Sequence, residues 1–151
     1  MISMQRILVP TDFSGPSEVA LKYGKAFSET FGAALYVLHV VEDGMVISDM
    51  AGIVPINFGE LLTNARRELQ GVLSAADCER YRAQLVTVQG SPSLEICSYA
   101  LGEKIDLIIM GTHGRSPIAH VLMGSVAEKV VRKAPCPVLT VRKPEHEFVV
   151  P

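Results

Sequence analysis

Short runs of aliphatic and β-branched residues alternate along this chain with longer segments whose apolar residues recur every three or four positions. The short runs lack the polar and apolar alternation of a half-exposed strand, which is typical of parallel strands buried on both faces. The longer segments have the period of amphipathic helices. A chain that alternates strand with helix folds as right-handed βαβ units around a parallel sheet. We therefore predict a doubly wound α/β fold with helices on both faces of the sheet.

This alternation predicts five strands and four helices. Proline near the start of a helix and glycine at its end mark two of the helices, with Pro16 and Gly32 for the first and Pro92 and Gly102 for the third. The predicted strands are 7–9, 35–41, 85–88, 107–110 and 138–141. The helical apolar pattern covers residues 20–31, 62–72, 94–101 and 123–131. Residues 42–57 are predicted to form a long irregular connection, a mobile flap on the surface.

The length and charge of the chain limit its organisation and partners. At 151 residues it has the usual size of one domain, and we expect a single domain over 1–151, with a core over 5–142 and a flexible tail at 143–151. Its net charge of −2 provides no field that would hold nucleic acid or an anionic membrane. No apolar stretch approaches the roughly 18 to 20 residues that span a bilayer. We therefore expect no nucleic acid and no membrane among its partners.

The cysteines indicate the cellular compartment. Cys78, Cys97 and Cys136 are odd in number and form no Cys-x-x-Cys or Cys/His ligand pattern, which argues against a disulfide framework and against a zinc site. The N-terminus lacks the long apolar core and the cleavage site of a signal peptide. We expect a cytoplasmic protein with three structural thiols.

Three segments arrive at the carboxyl ends of predicted strands, where doubly wound sheets bind their ligands. The first is Pro10-Thr11-Asp12, the second surrounds Val40, and the third runs from Gly111 to Ser125. Glycines there allow a backbone to approach a ligand closely, and a helix N-terminus at Ser125 attracts negative charge. Together with the cation of Arg115, these features suit a polyphosphate. The alternative is that the glycines only form turns and that Ser125 only caps a helix.

The spacing in the third segment is Gly-x2-Gly-x9-Gly-Ser, formed by Gly111, Gly114, Gly124 and Ser125. It resembles the nucleotide signature of the universal stress protein family, in the branch that binds ATP. The opening Ile-Leu-Val-Pro-Thr-Asp, the run Leu-His-Val at residues 38–40 and the run from Asp106 to Ser116 are similar to that family too, so the resemblance covers residues 6–142. It implies a Rossmann-like fold of the adenine nucleotide alpha hydrolase type, with strand order 3-2-1-4-5 and the last strand at an edge.

The resemblance also implies which residues meet the nucleotide. Pro10, Thr11 and Asp12 resemble the residues that contact adenine and ribose, and Val40 resembles the one whose backbone contacts adenine. Asp12 would also support a weakly held, nucleotide-bound Mg²⁺. The ribose and phosphate lining would comprise Met110, Gly111, Thr112, His113, Gly114, Arg115, Gly124, Ser125 and Val126. One departure is Pro117, where the family pattern leads us to expect glycine. Proline at this position should stiffen the loop.

The chain lacks other nucleotide signatures. It has no Gly-x-Gly-x-x-Gly fingerprint and no P-loop. His113 and His120 lie in the glycine-containing segment, but no neighbouring nucleophile with an orienting carboxylate accompanies them. His39, inside an apolar strand, is predicted to be a hydrogen-bonded core residue and not a ligand.

Together with these residues, the resemblance implies an ATP-binding protein with a regulatory or stress-response role, with ATP, ADP or AMP as ligand, Mg²⁺ bound with the nucleotide and slow or no hydrolysis. The last strand is predicted to form a homodimer through residues 137–142, because a second copy would cover its unpaired edge. One alternative is a dimeric protein-interaction module with a vestigial nucleotide pocket. Another is an ATP-hydrolysing enzyme, which would need a base and a metal cluster that the sequence does not show.

Overall fold

A computed structural model of the chain describes residues 1–42, 48–49, 52–53, 57–113 and 123–142. Helices connect the successive strands of the main sheet, as the sequence predicts. The elements, in chain order, are β1 (Arg6–Pro10), α1 (Gly15–Phe31), β2 (Ala34–Glu42), β3 (Ser48–Asp49), β4 (Gly52–Ile53), α2 (Phe58–Gln70), α3 (Ala75–Arg80), β5 (Gln84–Gly90), α4 (Pro92–Gly102), β6 (Leu107–Gly111), α5 (Ser125–Lys133) and β7 (Val138–Val141).

Five of the strands form one sheet in the order β5-β2-β1-β6-β7, and every pair in it is parallel. In the numbering of the five predicted strands this order is 3-2-1-4-5, so the predicted fold class and strand order are confirmed. The chain leaves β1 toward β2 on one side and later returns to β6 on the other side of β1. The direction of winding therefore reverses between β1 and β6.

Each face of this sheet is covered by its own pair of helices. Ile7 and Val9 of β1 belong to a core with α1 and α2, whereas Leu8 belongs to a second core with α4 and α5. All three side chains are 0% exposed. Because successive side chains of a strand point to opposite faces, covering both faces requires the continuous apolar runs on which the strand predictions rest.

The helix limits follow the proline and glycine signals closely. Gly32 ends α1 in the left-handed conformation, at φ 64°, and its N–H donates to the carbonyl of Ser28. Helix α4 begins at Pro92 and ends at Gly102, although the left-handed residue there is Lys104, at φ 52°. Helix α2 ends at Gln70, before the predicted limit at Val72, because Gly71 interrupts it.

Three elements, β3, β4 and α3, differ from the sequence predictions. Residues 48–49 pair antiparallel with 52–53, so the expectation that 42–57 is irregular throughout was wrong; strands of two residues are too short to show a period. The rest of the proposed flap, at 43–47, 50–51 and 54–56, lies outside the described residues, and so does the tail at 143–151. Helix α3 was not predicted, although Ser74 accepts a hydrogen bond from the N–H of Asp77 at 3.0 Å, a capping pattern visible as Ser-x-x-Asp.

In the part of the chain that the structure describes, no helix combines the length and apolarity needed to cross a membrane.

Candidate functional site

The direction of winding reverses between β1 and β6, and open α/β sheets have a crevice at the carboxyl ends of the strands where this reversal occurs. Ile7 pairs with Leu107 and Leu8 with Ile108, so the two strands run side by side. Their continuations then diverge, since β1 leads into α1 on one face and β6 leads toward α5 on the other. Ligands of open α/β sheets bind in crevices of this kind.

Asp12 lies in the β1–α1 loop, which is ordered by hydrogen bonds within it. The N–H of Ser14 donates to Asp12 Oδ1 at 3.1 Å, and the Ser14 hydroxyl donates to the same oxygen. Ser14 occupies the N-cap position of α1 without capping the helix by its side chain, because that hydroxyl is engaged by Asp12. The aspartate is therefore held in one orientation at the edge of the crevice.

Thr11 and Ser17 form a pair of hydroxyl groups beneath this loop. Ser17 Oγ donates to the carbonyl of Ser14 at 2.8 Å, which uses its only proton. Thr11 Oγ1, 3.1 Å from Ser17 Oγ, is thus the donor of that pair, and it accepts from the N–H of Phe13 at 3.1 Å. These bonds attach the loop to the first turn of α1.

Gly111, at the end of β6, packs directly against α1. A Cβ at this position would lie 2.8 Å from Cβ of Pro16 and 3.0 Å from its carbonyl carbon. The sequence led us to expect a glycine here that allows close approach of a ligand, but the contact in the structure that requires glycine is packing against Pro16. Gly111 is nevertheless part of the crevice wall.

Thr112 joins the two halves of the glycine-containing segment. Its side chain is 6% exposed, its N–H donates to the carbonyl of Val141 at 2.8 Å, and its carbonyl accepts from the N–H of Gly124. Thr112 Oγ1 also lies 3.0 Å from His113 Nδ1. The end of β6 and the start of α5 are therefore adjacent, although residues 114–122 between them lie outside the described residues. Gly114, Arg115, Pro117 and His120 fall in that segment.

Gly124 is the N-cap residue of α5, and Ser125 is the first residue of the helix. The alternative that Ser125 only caps this helix was therefore wrong. Because the N-cap residue has no side chain, the first-turn N–H groups lack the usual N-cap acceptor. An anion at this helix end would accept from such groups and would be favoured by the helix dipole.

An apolar surface lies at the carboxyl end of the sheet, on the face covered by α4 and α5. Val40 pairs in register with Val88 of β5, and both side chains are half-buried against the core that contains Leu38 and Met110. Met123 and Val126, at the start of α5, pack against the same core. Sequence reasoning identified Val40, Met110 and Val126 but missed Val88 and Met123, because strand register decides which residues become neighbours.

A few functional groups of the site are accounted for individually. His39 Nδ1 lies 2.8 Å from the carbonyl oxygen of Thr11, which confirms the predicted hydrogen bond, but the residue is half-buried and does not belong to the core. Burial raises the pKa of the Cys97 and Cys136 thiols, which makes both poor nucleophiles at neutral pH. All three cysteines are free. Within the described ranges, no three His, Cys, Asp or Glu side chains converge on a point that could hold a metal ion.

Comparison with known proteins identifies the family of this chain. A model of the universal stress protein family matches residues 4–142. The chain is 34% identical to Universal stress protein MJ0531 of Methanocaldococcus jannaschii over 95% of this chain and 85% of that protein. It is 30% identical to Universal stress protein MJ0577 of the same organism over 94% of this chain and 97% of that protein.

Solved structures agree. The structure of MJ0577 aligns with a TM-score of 0.73 and 31% identity, covering 96% of this chain and all of that one. A universal stress protein in complex with cAMP aligns with a TM-score of 0.66, and at 23% identity this likeness concerns the fold. The resemblance read from the glycine-containing segment is thereby confirmed at the level of the family. The chain belongs to the universal stress protein family.

Proposed function

We propose that this protein binds an adenine nucleotide, ATP in preference to ADP or AMP, in the crevice between β1 and β6, and that it acts as a regulatory protein of the stress response. The observation that carries the proposal is the hydrogen bond from Gly124 to Thr112. It brings the start of α5, with its uncapped N–H groups, next to the strand end that faces the Asp12 loop. Family membership supports the regulatory role.

Each part of the nucleotide has a matching surface. The apolar side chains of Val40 and Val88 suit the adenine ring, with Pro10 buried behind the end of β1. Asp12 suits the ribose hydroxyl groups, since a carboxylate accepts from them. The N-terminus of α5, with Gly124 and Ser125, suits the phosphates. Gly114 and Arg115 belong to the proposal on their sequence alone.

The residues present fit a Mg²⁺ that arrives with the nucleotide. Asp12 offers one carboxylate, and its Oδ1 already accepts two hydrogen bonds from Ser14. Mg²⁺ is commonly held by one or two carboxylates together with phosphate oxygens and water. When bound, the ion would neutralise phosphate charge. Asp12 would act by orienting the ribose and supporting that ion through water.

We propose that hydrolysis is slow. Fast phosphoryl transfer requires a positioned base and an ion clamp on the phosphates. Among the described residues, His113 is the titratable ring nearest the strand end, and its Nδ1 contacts Thr112 Oγ1. No three His, Cys, Asp or Glu side chains among the residues that the structure describes converge to hold such an ion. A binding protein with incidental turnover matches this arrangement better than a dedicated enzyme.

The proposal includes a homodimer through residues 137–142, in a reducing cytoplasm. Strand β7 is the terminal strand of the sheet order and pairs with β6 on one side. Its Val138, Leu139 and Thr140 side chains are half-buried. An antiparallel copy of the same strand across a twofold axis would satisfy both edges at once.

A second candidate is a dimeric interaction module with a vestigial pocket. The contact between Gly111 and Pro16 favours it, because packing alone explains that glycine. One observation discriminates the two candidates: protein purified without added nucleotide should release ATP or ADP on acid precipitation if the pocket is functional, and neither if it is vestigial.

Calorimetric titration of ATP into Gly124→Val tests the site itself. Gly124 has an extended conformation, at φ −68° and ψ 158°, which valine adopts without strain, so the fold should survive while the added side chain blocks the helix N-terminus. Gly102→Val is the matched control, because a Cβ at Gly102 meets nothing within 4 Å. ATP affinity should be lost in the first variant and kept in the second. Equal affinity in both folded variants would contradict the phosphate assignment.

A further inference from the structure

His39 of β2 contacts both neighbours of Asp12. Its Nδ1 lies 2.8 Å from the carbonyl oxygen of Thr11, which precedes the aspartate. Its ring lies against the ring of Phe13, which follows the aspartate, with a centroid separation of 4.4 Å and an interplanar angle of 33°. The His39 side chain, from the neighbouring strand, thus holds the loop on both sides of Asp12, the residue that we propose to bind the ribose.

The backbone at Phe13 needs such support. Phe13 has a φ of 63°, a left-handed conformation that is strained for a bulky side chain and persists only where the surroundings enforce it. This conformation turns the following N–H, that of Ser14, back onto Asp12 Oδ1 at 3.1 Å. The orientation of the Asp12 carboxylate therefore depends on the strained residue beside it.

Two contacts enforce the strained conformation. The N–H of Phe13 donates to Thr11 Oγ1 at 3.1 Å, and the ring of Phe13 packs on His39. His39 also holds Thr11 through its carbonyl. One of the two contacts on Phe13 is therefore made by His39 itself, and the other is made by Thr11, which His39 also contacts.

The hydrogen bond also determines which ring nitrogen of His39 is the donor. A backbone carbonyl oxygen can only accept, so Nδ1 of His39 carries a hydrogen. This assignment holds in the nucleotide-free protein. This is a property of the free protein that does not depend on any ligand.

We propose that His39 is a positioning residue for nucleotide binding, which acts through the Thr11–Phe13 loop to orient the Asp12 carboxylate. The proposal rests on the proposed function, since it gives His39 a role in binding the same ligand. His39 does not touch the nucleotide, and its effect on affinity passes through Asp12.

Two substitutions at His39 separate its contacts. His39→Phe keeps a ring against Phe13 and removes the donor to Thr11, whereas His39→Asn keeps an N–H near the position of Nδ1 and removes the ring. ATP affinity, measured by calorimetry, should fall about threefold to tenfold in His39→Phe, as expected for one lost hydrogen bond. His39→Asn should recover part of that loss. Tyr36→Phe is the control on the same strand, remote from the loop, and should bind ATP as the wild type does.

A double-mutant cycle distinguishes positioning from a general loss of structure. In the Asp12→Asn background, His39→Phe should cause little further loss of affinity, because the group that it orients has already been changed. Additive losses, or no loss in folded His39→Phe, would overturn the proposal. If both His39 variants fail to fold, nitrogen NMR of wild-type His39 decides: protonation at Nδ1 supports the proposal and protonation at Nε2 alone overturns it. A wild type that binds no ATP would instead contradict the proposed function, and this inference with it.

Discussion

Gly111 and Pro16 are in direct contact, and a Cβ added to Gly111 would lie 2.8 Å from Cβ of Pro16. They belong to the end of β6 and the first turn of α1, which the sequence separates widely. Their contact packs the end of β6 against the first turn of α1. A glycine of the Gly-x2-Gly-x9-Gly-Ser segment therefore has a packing role here.

Replacing Gly111 by alanine should destabilise the protein by about 1 to 3 kcal/mol, because the added methyl would lie 2.8 Å from Cβ of Pro16 and the rigid proline ring cannot rotate away. Urea unfolding of the variant and the wild type measures the difference. Gly102→Ala is the control, since its Cβ would meet nothing within 4 Å, and it should change stability by less than about 0.5 kcal/mol. Equal stability of Gly111→Ala and the wild type would show that the contact is not tight in solution.

Asp12→Asn should reduce the dependence of ATP affinity on Mg²⁺ without abolishing ATP binding. The amide keeps the shape of the side chain but loses the charge that supports the ion. Calorimetric titrations with Mg²⁺ and with a chelator, on the wild type and the variant, measure this coupling. An unchanged Mg²⁺ effect in Asp12→Asn would remove Asp12 from the metal site.

Phosphate release by the wild type should be far slower than the enzyme median of about 10 per second. A steady-state assay with excess ATP and Mg²⁺ measures it. Turnover near that median would mean that a catalytic centre exists within the site and that the binding-protein interpretation is wrong.

Thr140→Pro should give a monomer if the fold survives. Ile108 and Thr112 donate to the carbonyls of Pro137 and Val141, so in this parallel register the N–H groups of Leu139 and Val141 face β6 and that of Thr140 faces the free edge. Proline at residue 140 removes a donor from that edge, so the proposed contact between two β7 strands would be lost. Light scattering at micromolar concentration measures the mass, which should be about twice 16.4 kDa for the wild type. A monomeric wild type contradicts the dimer, and a Thr140→Pro variant that remains a dimer would place the interface elsewhere.

Tyr99 should make stability fall with pH in alkaline solution. Burial, with smaller effects of Glu103 and Tyr36, raises the pKa of Tyr99 to about 12, from 10. The folded state thus holds this proton more tightly than the unfolded state, so the stabilisation is complete below pH 10 and is lost as pH rises through 12. Denaturant unfolding of the wild type and Tyr99→Phe between these values should show a flatter pH dependence in the variant. Parallel curves would place the titration of Tyr99 near its ordinary range.

Much of the fold was predictable because its signals are local. The apolar run of β1 is buried on both faces, so its composition alone indicated a parallel strand. Pro16 and Pro92 fix φ near helical values, and Gly32 adopts a left-handed conformation at little cost. The spacing of Gly111 and Gly124 indicated the family for the same reason, since a motif is a local pattern.

Helix α3 was less predictable because its support is not local. It has six residues, too few for a helix to be stable alone. Lys25 contacts Asp77 at 2.6 Å, and Arg80 contacts Glu29 at 2.7 Å, pairs that are 52 and 51 residues apart in sequence. Tertiary contacts therefore accompany a capping signal that is weak by itself.

The sequence by itself determined which segments become strands and helices, and it indicated the family, because period, proline, glycine and motif spacing act within a few residues of each other. Only the tertiary structure decided that Val88 lies beside Val40, that Gly111 packs on Pro16 and that His39 holds the Asp12 loop. Those relationships depend on strand register and on helix packing between residues far apart along the chain. Register is set by the mutual fit of whole elements, which no local pattern encodes.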